Sequence, residues 1–177
     1  MKINKTFFEE VFHFDLDSIV DDRGSLSRFY CKKIIKNIGV KFDVKQISFV
    51  TNNKKHTLRG MHFQKNPNPE QKMIICLKGS IWDVIVDIRK KSKTYGKWFS
   101  IELSKEKQNC LYVPAGFAHG YLTMTAETQI LYLMDEYYSS KDSVGINWDD
   151  PDLQINWPYV PKKISLKDKE LPRLINL

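Results

Sequence analysis

Residues 77–89, Leu-Lys-Gly-Ser-Ile-Trp-Asp-Val-Ile-Val-Asp-Ile-Arg, constrain the fold more than any other stretch. Trp82, Val84, Val86 and Ile88 alternate with Ile81, Asp83, Ile85 and Asp87. That period of two sorts side chains onto the two faces of an extended strand. Lys78-Gly79 ahead of it reads as a turn. Comparable runs predict strands at 26–30, 44–51, 57–63, 71–77, 97–103, 110–113, 119–124 and 128–135. Many short strands with turn signals between them point to an all-β sandwich or barrel. Helical patterns are confined to 31–38 and the tail at 168–176, where Pro172 interrupts the second.

With 177 residues and no repeat, low-complexity tract or linker, the chain reads as one domain, 1–177, able to bury a sizeable core. Its net charge of +7 comes from scattered lysines, the pattern of a lysine-rich surface. The same field would attract an anionic ligand such as a nucleotide diphosphate. No helix-turn-helix, zinc-finger or RNA-binding signature supports a nucleic-acid partner. The opening MKINKTFFEEVFHFDL carries acids inside its apolar stretch, unlike a signal peptide, and no run approaches a membrane span. Cys31, Cys76 and Cys110 are odd in number and far apart. They predict apolar fillers in a reducing compartment, hence a cytoplasmic location. Residues 147–163, NWDDPDLQINWPYVPKK, hold two tryptophans and three prolines and predict an ordered, non-regular strap.

Chemistry is most legible in Leu58-Arg59-Gly60-Met61-His62-Phe63-Gln64. On a regular strand Gly60, His62 and Gln64 share one face and Arg59, Met61 and Phe63 the other. Gly60 would leave space beside His62 for a ligand. His119 follows the Pro114-Ala115-Gly116 turn. The four histidines, 13, 56, 62 and 119, are isolated in sequence, whereas a metal needs at least three converging ligands, so neither metal nor cofactor is expected. Taken singly, Tyr132 and Tyr138 fit packed aromatics, Asp168 a helix cap and Lys72 a surface lysine.

Together the segments say more. Asp22-Arg23-Gly24, the Arg59–His62 segment, Lys72, the Asp83–Arg89 strand, Ser92-Lys93-Thr94-Tyr95-Gly96, Pro114 to Gly120, and Trp148-Asp149-Asp150-Pro151 with Ile155-Asn156-Trp157-Pro158 occur in that order. The series resembles the dTDP-4-dehydrorhamnose 3,5-epimerase family from about residue 20 to 172. The resemblance implies a cupin-type double-stranded β-helix (jelly roll) with short flanking helices, metal-free and homodimeric. It implies inversion at C3 and C5, or at C3 only, of a nucleotide-diphosphate-linked 4-keto sugar, in surface or capsular polysaccharide synthesis. By the same resemblance His62 is the base and Asp168 its carboxylate partner. Tyr132 is the acid on the opposite face, and Lys72 lies near the developing enolate. Arg23 and Arg59 hold the diphosphate, while His119, Gln46 and Tyr138 contact the ligand.

The reaction asks for such groups on physical grounds. Removing a proton beside a ketone builds negative charge on the ketone oxygen, which a cation stabilises in a water-poor site. A base that titrates near neutrality suits the step, and histidine supplies one. Inversion further requires a proton donor on the far side. The chain departs from the family pattern at Ser25 to Arg28, where Phe and Glu are usual, and at Ser48 and Ser143. These positions fall on the nucleotide and sugar side. They leave the base open among dTDP, GDP and CDP, with no advantage for dTDP expected. The readings kept beside epimerisation are a metal-dependent cupin isomerase or oxygenase, a keto-sugar 3,4-isomerase, and a non-enzymatic sugar-nucleotide-binding module.

Overall fold

The computed structural model describes all residues, 1–177. Its strands are β1 (Lys2–Lys5), β2 (Phe12–Asp15), β3 (Ser18–Asp21), β4 (Gly24–Ser27), β5 (Gln46–Asn52), β6 (Leu58–Gln64), β7 (Lys72–Lys78), β8 (Ser80–Asp87), β9 (Trp98–Ser104), β10 (Asn109–Val113), β11 (Phe117–Thr123), β12 (Thr128–Met134) and β13 (Ser143–Gly145). Helices are few: α1 (Lys32–Asn37), α2 (Leu166–Lys169) and a 3₁₀ turn, Leu174–Asn176. A six-stranded sheet runs β1-β2-β10-β7-β12-β5 and a five-stranded sheet β13-β6-β11-β8-β9. From β5 to β8, and again from β9 to β13, the chain changes sheet at every strand. Every pairing between these strands is antiparallel. This is the jelly-roll architecture expected of the sequence. Strands β3 and β4 form a separate hairpin.

Alternation explains why both sheets bury both faces. Along β7, Ile74 and Cys76 point between the sheets, where they meet Ile81, Ile85, Leu111, Phe117 and Ile130. Their neighbours Met73 and Ile75 face outward and are covered by Phe14, by Ile35 of α1 and by Phe42. On β8 the inward set is Ile81 and Ile85, while Val84 and Val86 face Ile146, Leu153 and Leu174 of the C-terminal strap. A strand with two covered faces can be apolar on both. Cys76 and Cys110 are buried free thiols, each pushed up to about 12 by burial, and behave as fillers.

The strap is tied by its own polar groups. Trp157 Nε1 donates to Trp148 O, Trp98 Nε1 donates to Leu153 O, and Leu174 N donates to the buried Asp150 Oδ2 at 2.7 Å. Two expectations need correction. The strand expected at 26–30 ends at Ser27, because Phe29 and Tyr30 turn inward to pack beneath α1. The helix expected at 168–176 is two pieces, since Pro172 cannot continue α2.

Candidate active site

Strands β6 and β11 set the frame of a cavity of about 570 Å³. His62 stands directly opposite His119, yet Tyr121 stands opposite Arg59. Two steps along β11 are therefore matched by three along β6, a bulge that re-aims the side chains beyond it. Regular alternation puts Arg59 and His62 on opposite faces; the bulge brings both into one cavity. Gly60 also has a different role from the one expected. A Cβ there would sit 2.5 Å from Gly120 Cα and 2.9 Å from His119 O, so the missing side chain serves close backbone packing rather than a ligand. Its φ of +125° is also foreign to L side chains. Gly60→Ala is expected to lower stability by about 3 kcal/mol, combining backbone strain with overpacking. A urea midpoint equal to that of the parent would refute this.

His62 Nε2 lies 2.8 Å from Asp168 Oδ1. The imidazole is 37% exposed and the carboxylate only 7%, so the imidazole reaches the cavity while its partner is shielded. Gly60 N donates to Asp168 Oδ2 at 3.2 Å, and Asp168 N donates to the capping Ser165 Oγ at 3.0 Å. A carboxylate so placed holds the imidazole proton on the nitrogen facing it and leaves the other nitrogen its lone pair. Asp168 was expected from its local sequence to be a solvated charge or cap; it is a buried member of α2.

Burial pushes the Asp168 carboxyl up. The hydrogen bond and charge of His62, with the Gly60 N–H, outweigh this and hold it below the usual carboxylate range. A depressed carboxylate stabilises the native state above its unfolded value, about 3.9, and loses that contribution as pH falls through the native value. Asp168→Asn is therefore expected to flatten the loss of stability between about pH 5 and the acid limit. Thermal melts across that range check it; parallel profiles for parent and variant would contradict it.

The other wall belongs to the six-stranded sheet. Tyr132, on β12, lines the cavity and meets the His119 ring edge to face, with centroids 5.9 Å apart. Burial, with Tyr121 and Asp83 nearby, holds its phenol well above the usual value, so it keeps its proton at neutral pH. Lys72, on β7, also lines the cavity and pairs with Glu70 at 2.6 Å. Arg59 Nε donates to Asn52 Oδ1 at 2.8 Å, and Asn52 in turn donates to the Tyr121 hydroxyl. Tyr138 stands at the cavity with its ring exposed.

Seven of the nine residues singled out from the sequence thus share the cavity: His62, Tyr132, Asp168, Lys72, Arg59, His119 and Tyr138. Gln46 does not line it; its Oε1 accepts the Tyr138 backbone N–H and so fixes the residue that does. Arg23 does not line it either. It sits at the β3–β4 turn, 85% exposed and paired with Asp21. Of the departures from the family pattern, Ser48 and Ser143 face the cavity and Arg28 does not.

Sequence reasoning did not assign roles to Glu70 and Asp83. Asp83, fully buried, accepts from or donates to His119 Nε2 at 2.8 Å, and burial holds its carboxyl above the usual range despite the histidine. The available signal was an acid between Ile81 and Ile85 on the inward face of β8. For Glu70 it was the spacing of two from Lys72. No three His, Cys, Asp or Glu side chains converge in the arrangement of a metal site. The Ser92–Gly96 segment is structural: Thr94 Oγ1 and Arg89 bind Asp87, whose carboxyl is held at about 2. No helix is long and apolar enough to cross a membrane.

Comparison with known proteins places this geometry in context. The family model described as dTDP-4-dehydrorhamnose 3,5-epimerase matches residues 5–176. A relative of that name from Salmonella typhimurium is 35% identical over 180 residues, covering 98% of this chain and 96% of the relative. One from Sinorhizobium fredii is 47% identical over 122 residues, covering 68% of this chain and 63% of the relative's length. The crystal structure of the Bacillus anthracis dTDP-4-dehydrorhamnose 3,5-epimerase with TDP and PPi bound superposes with a TM-score of 0.94 at 38% identity, covering 97% of this chain and 98% of the other.

Proposed function

The chain belongs to the dTDP-4-dehydrorhamnose 3,5-epimerase family, and on that premise we propose that it inverts C3 and C5 of a dTDP-linked 4-keto-6-deoxy hexose. The observation that carries the reading is the opposition of two proton-handling groups across one cavity. His62 comes from the five-stranded sheet with a buried carboxylate behind it; Tyr132 comes from the six-stranded sheet with a phenol that stays protonated. His62 takes the proton beside the ketone, its new charge supported by Asp168. Lys72 and His119 face the ketone oxygen, where they oppose the negative charge of the enolate. Tyr132 then delivers a proton from the far side; His62 loses its proton to solvent and Tyr132 regains one before the same steps act at the second carbon. Arg59, with Lys163 and Lys167 at the same cavity, supplies cations for the diphosphate. The family shown by the model match and the relatives is an epimerase family, which favours epimerisation over the metal-dependent and isomerase alternatives.

The test is incubation in D2O with dTDP-, GDP- and CDP-linked 4-keto sugars, with chelator present. Two deuteriums in the dTDP substrate and tighter binding of dTDP than of GDP or CDP are the expected results. Label at C3 alone would restrict the reading to a single inversion. Equal binding of all three nucleotides would instead support the expectation drawn from Arg28.

The finer reading includes a homodimer formed by the single domain, acting in the cytoplasm as its free cysteines suggest. The β3–β4 hairpin exposes Ile19 at 69%, Val20 at 73% and Leu26 at 65%, and the edge strand β5 exposes Ile47 at 63% and Phe49 at 55%. Apolar surface of this kind on a hairpin and a sheet edge fits burial against a second copy. A hairpin crossing to the partner would give Arg23 a route to the partner's cavity. The double variant Ile19→Glu/Leu26→Glu is expected to sediment as a monomer with a KM raised about tenfold or more. A fully active monomeric parent would sink the dimer reading.

A further inference from the structure

The C-terminal strap has a second side. Behind the candidate active site lies another cavity, of about 560 Å³, to which Lys162, Lys163, Lys169 and Arg173 contribute four cations against the single carboxylate of Asp149. Its volume is that of a small-molecule site. None of the four cations makes an ion pair, so their charge is offset at the cavity by Asp149 alone. Like charges gathered within about a Debye length, roughly 8 Å at physiological salt, repel one another until an anion enters.

The cations are carried on fixed backbone. Lys162 N and Lys163 N both donate to His56 O, at 2.8 and 3.2 Å, and Leu58 N donates to Lys163 O at 2.8 Å. Across the cavity Asn147 N donates to Pro172 O at 2.7 Å, which sets the chain next to Arg173. Half-buried Trp148, packed edge-on against Trp157, adds an apolar wall. Four cations beside an aromatic wall suit a phosphate-bearing small molecule.

We propose that this cavity is a second anion site, separate from the sugar-nucleotide site, which takes a phosphate- or diphosphate-bearing ligand. Lys163 and Ile164 line both cavities. The next residue, Ser165, caps the helix that holds Asp168. Occupation of the outer cavity therefore acts on the positioning of the His62–Asp168 pair, and its kinetic effect is a change in turnover.

The protein is first saturated with dTDP, a titration that separately tests the sugar-nucleotide reading. Inorganic pyrophosphate and, in parallel, AMP are then titrated in a calorimeter. At least one of them is expected to show a single saturable site per chain. Lys169→Glu/Arg173→Glu, which alters the outer cavity alone, is expected to weaken that site at least tenfold while turnover without added anion is unchanged. Arg173→Gln serves if the double variant does not fold, with a severalfold loss expected. Absence of saturable heat from both anions in the dTDP-loaded protein, or binding that survives the variants at full strength, overturns the proposal.

Discussion

A folded His62→Ala protein is expected to lose exchange of substrate hydrogen with solvent at both ring carbons, by about 10²–10⁴-fold, the range for removing a general base. The second imidazole is not placed to substitute. His119, the other imidazole at the cavity, has Nε2 committed to Asp83 at 2.8 Å and is 4% exposed. The change should leave the sheets intact, because His62 is more than a third exposed and belongs to none of the three buried apolar clusters. His62→Asn is the companion variant, since its amide can still donate toward Asp168 and so keeps the buried carboxylate satisfied. Loss of exchange in both variants, with an unchanged melting profile, assigns the effect to the base. Near-native exchange in folded His62→Ala would remove His62 from that role.

Tyr132→Phe is expected to separate the two half-reactions. The ring stays, and with it the edge-to-face contact with His119. Only the hydroxyl goes. Deprotonation by His62 should persist, because Lys72 and His119 still line the cavity and, in the proposed mechanism, oppose the developing charge. Epimer formation should fall by about one to two powers of ten, less than the full effect of a general acid because water can enter in its place. The signature is a variant that incorporates deuterium into recovered substrate but accumulates little inverted sugar. Inversion at the parent rate would return Tyr132 to the status of a packed aromatic.

These two variants bracket what the sequence could and could not disclose. An all-β sandwich or barrel was legible because β8 alternates and β7 and β12 carry unbroken apolar runs, with turn residues between strands; the jelly roll itself was implied by the family resemblance. The strands that escaped notice, β1, β2, β3 and β13, are three or four residues long, too short for a period to register. Pairing with neighbours defines them, not propensity. Asp168 is the clearest case at the site. Its local sequence describes a helix cap, and it does lie in a helix capped by Ser165. Only the docking of that helix beneath β6, 106 residues earlier in the chain, makes it the partner of His62.

Sequence alone determined the longer strands, the buried fillers Cys76 and Cys110 and the strap, because these depend on residue type and on spacing along a few positions; the roles proposed for His62, Tyr132 and Asp168 came from the family resemblance. Tertiary structure alone decided which side chains share a cavity. The extra residue in β6 opposite Gly120 turns Arg59 and His62 to the same side, against the alternation read from the sequence. His119 acquires Asp83 across the pairing of β11 with β8, and Arg23 is carried away on a hairpin. A one-residue change of register reverses the face of every side chain beyond it, and register is set by contacts between strands distant in sequence.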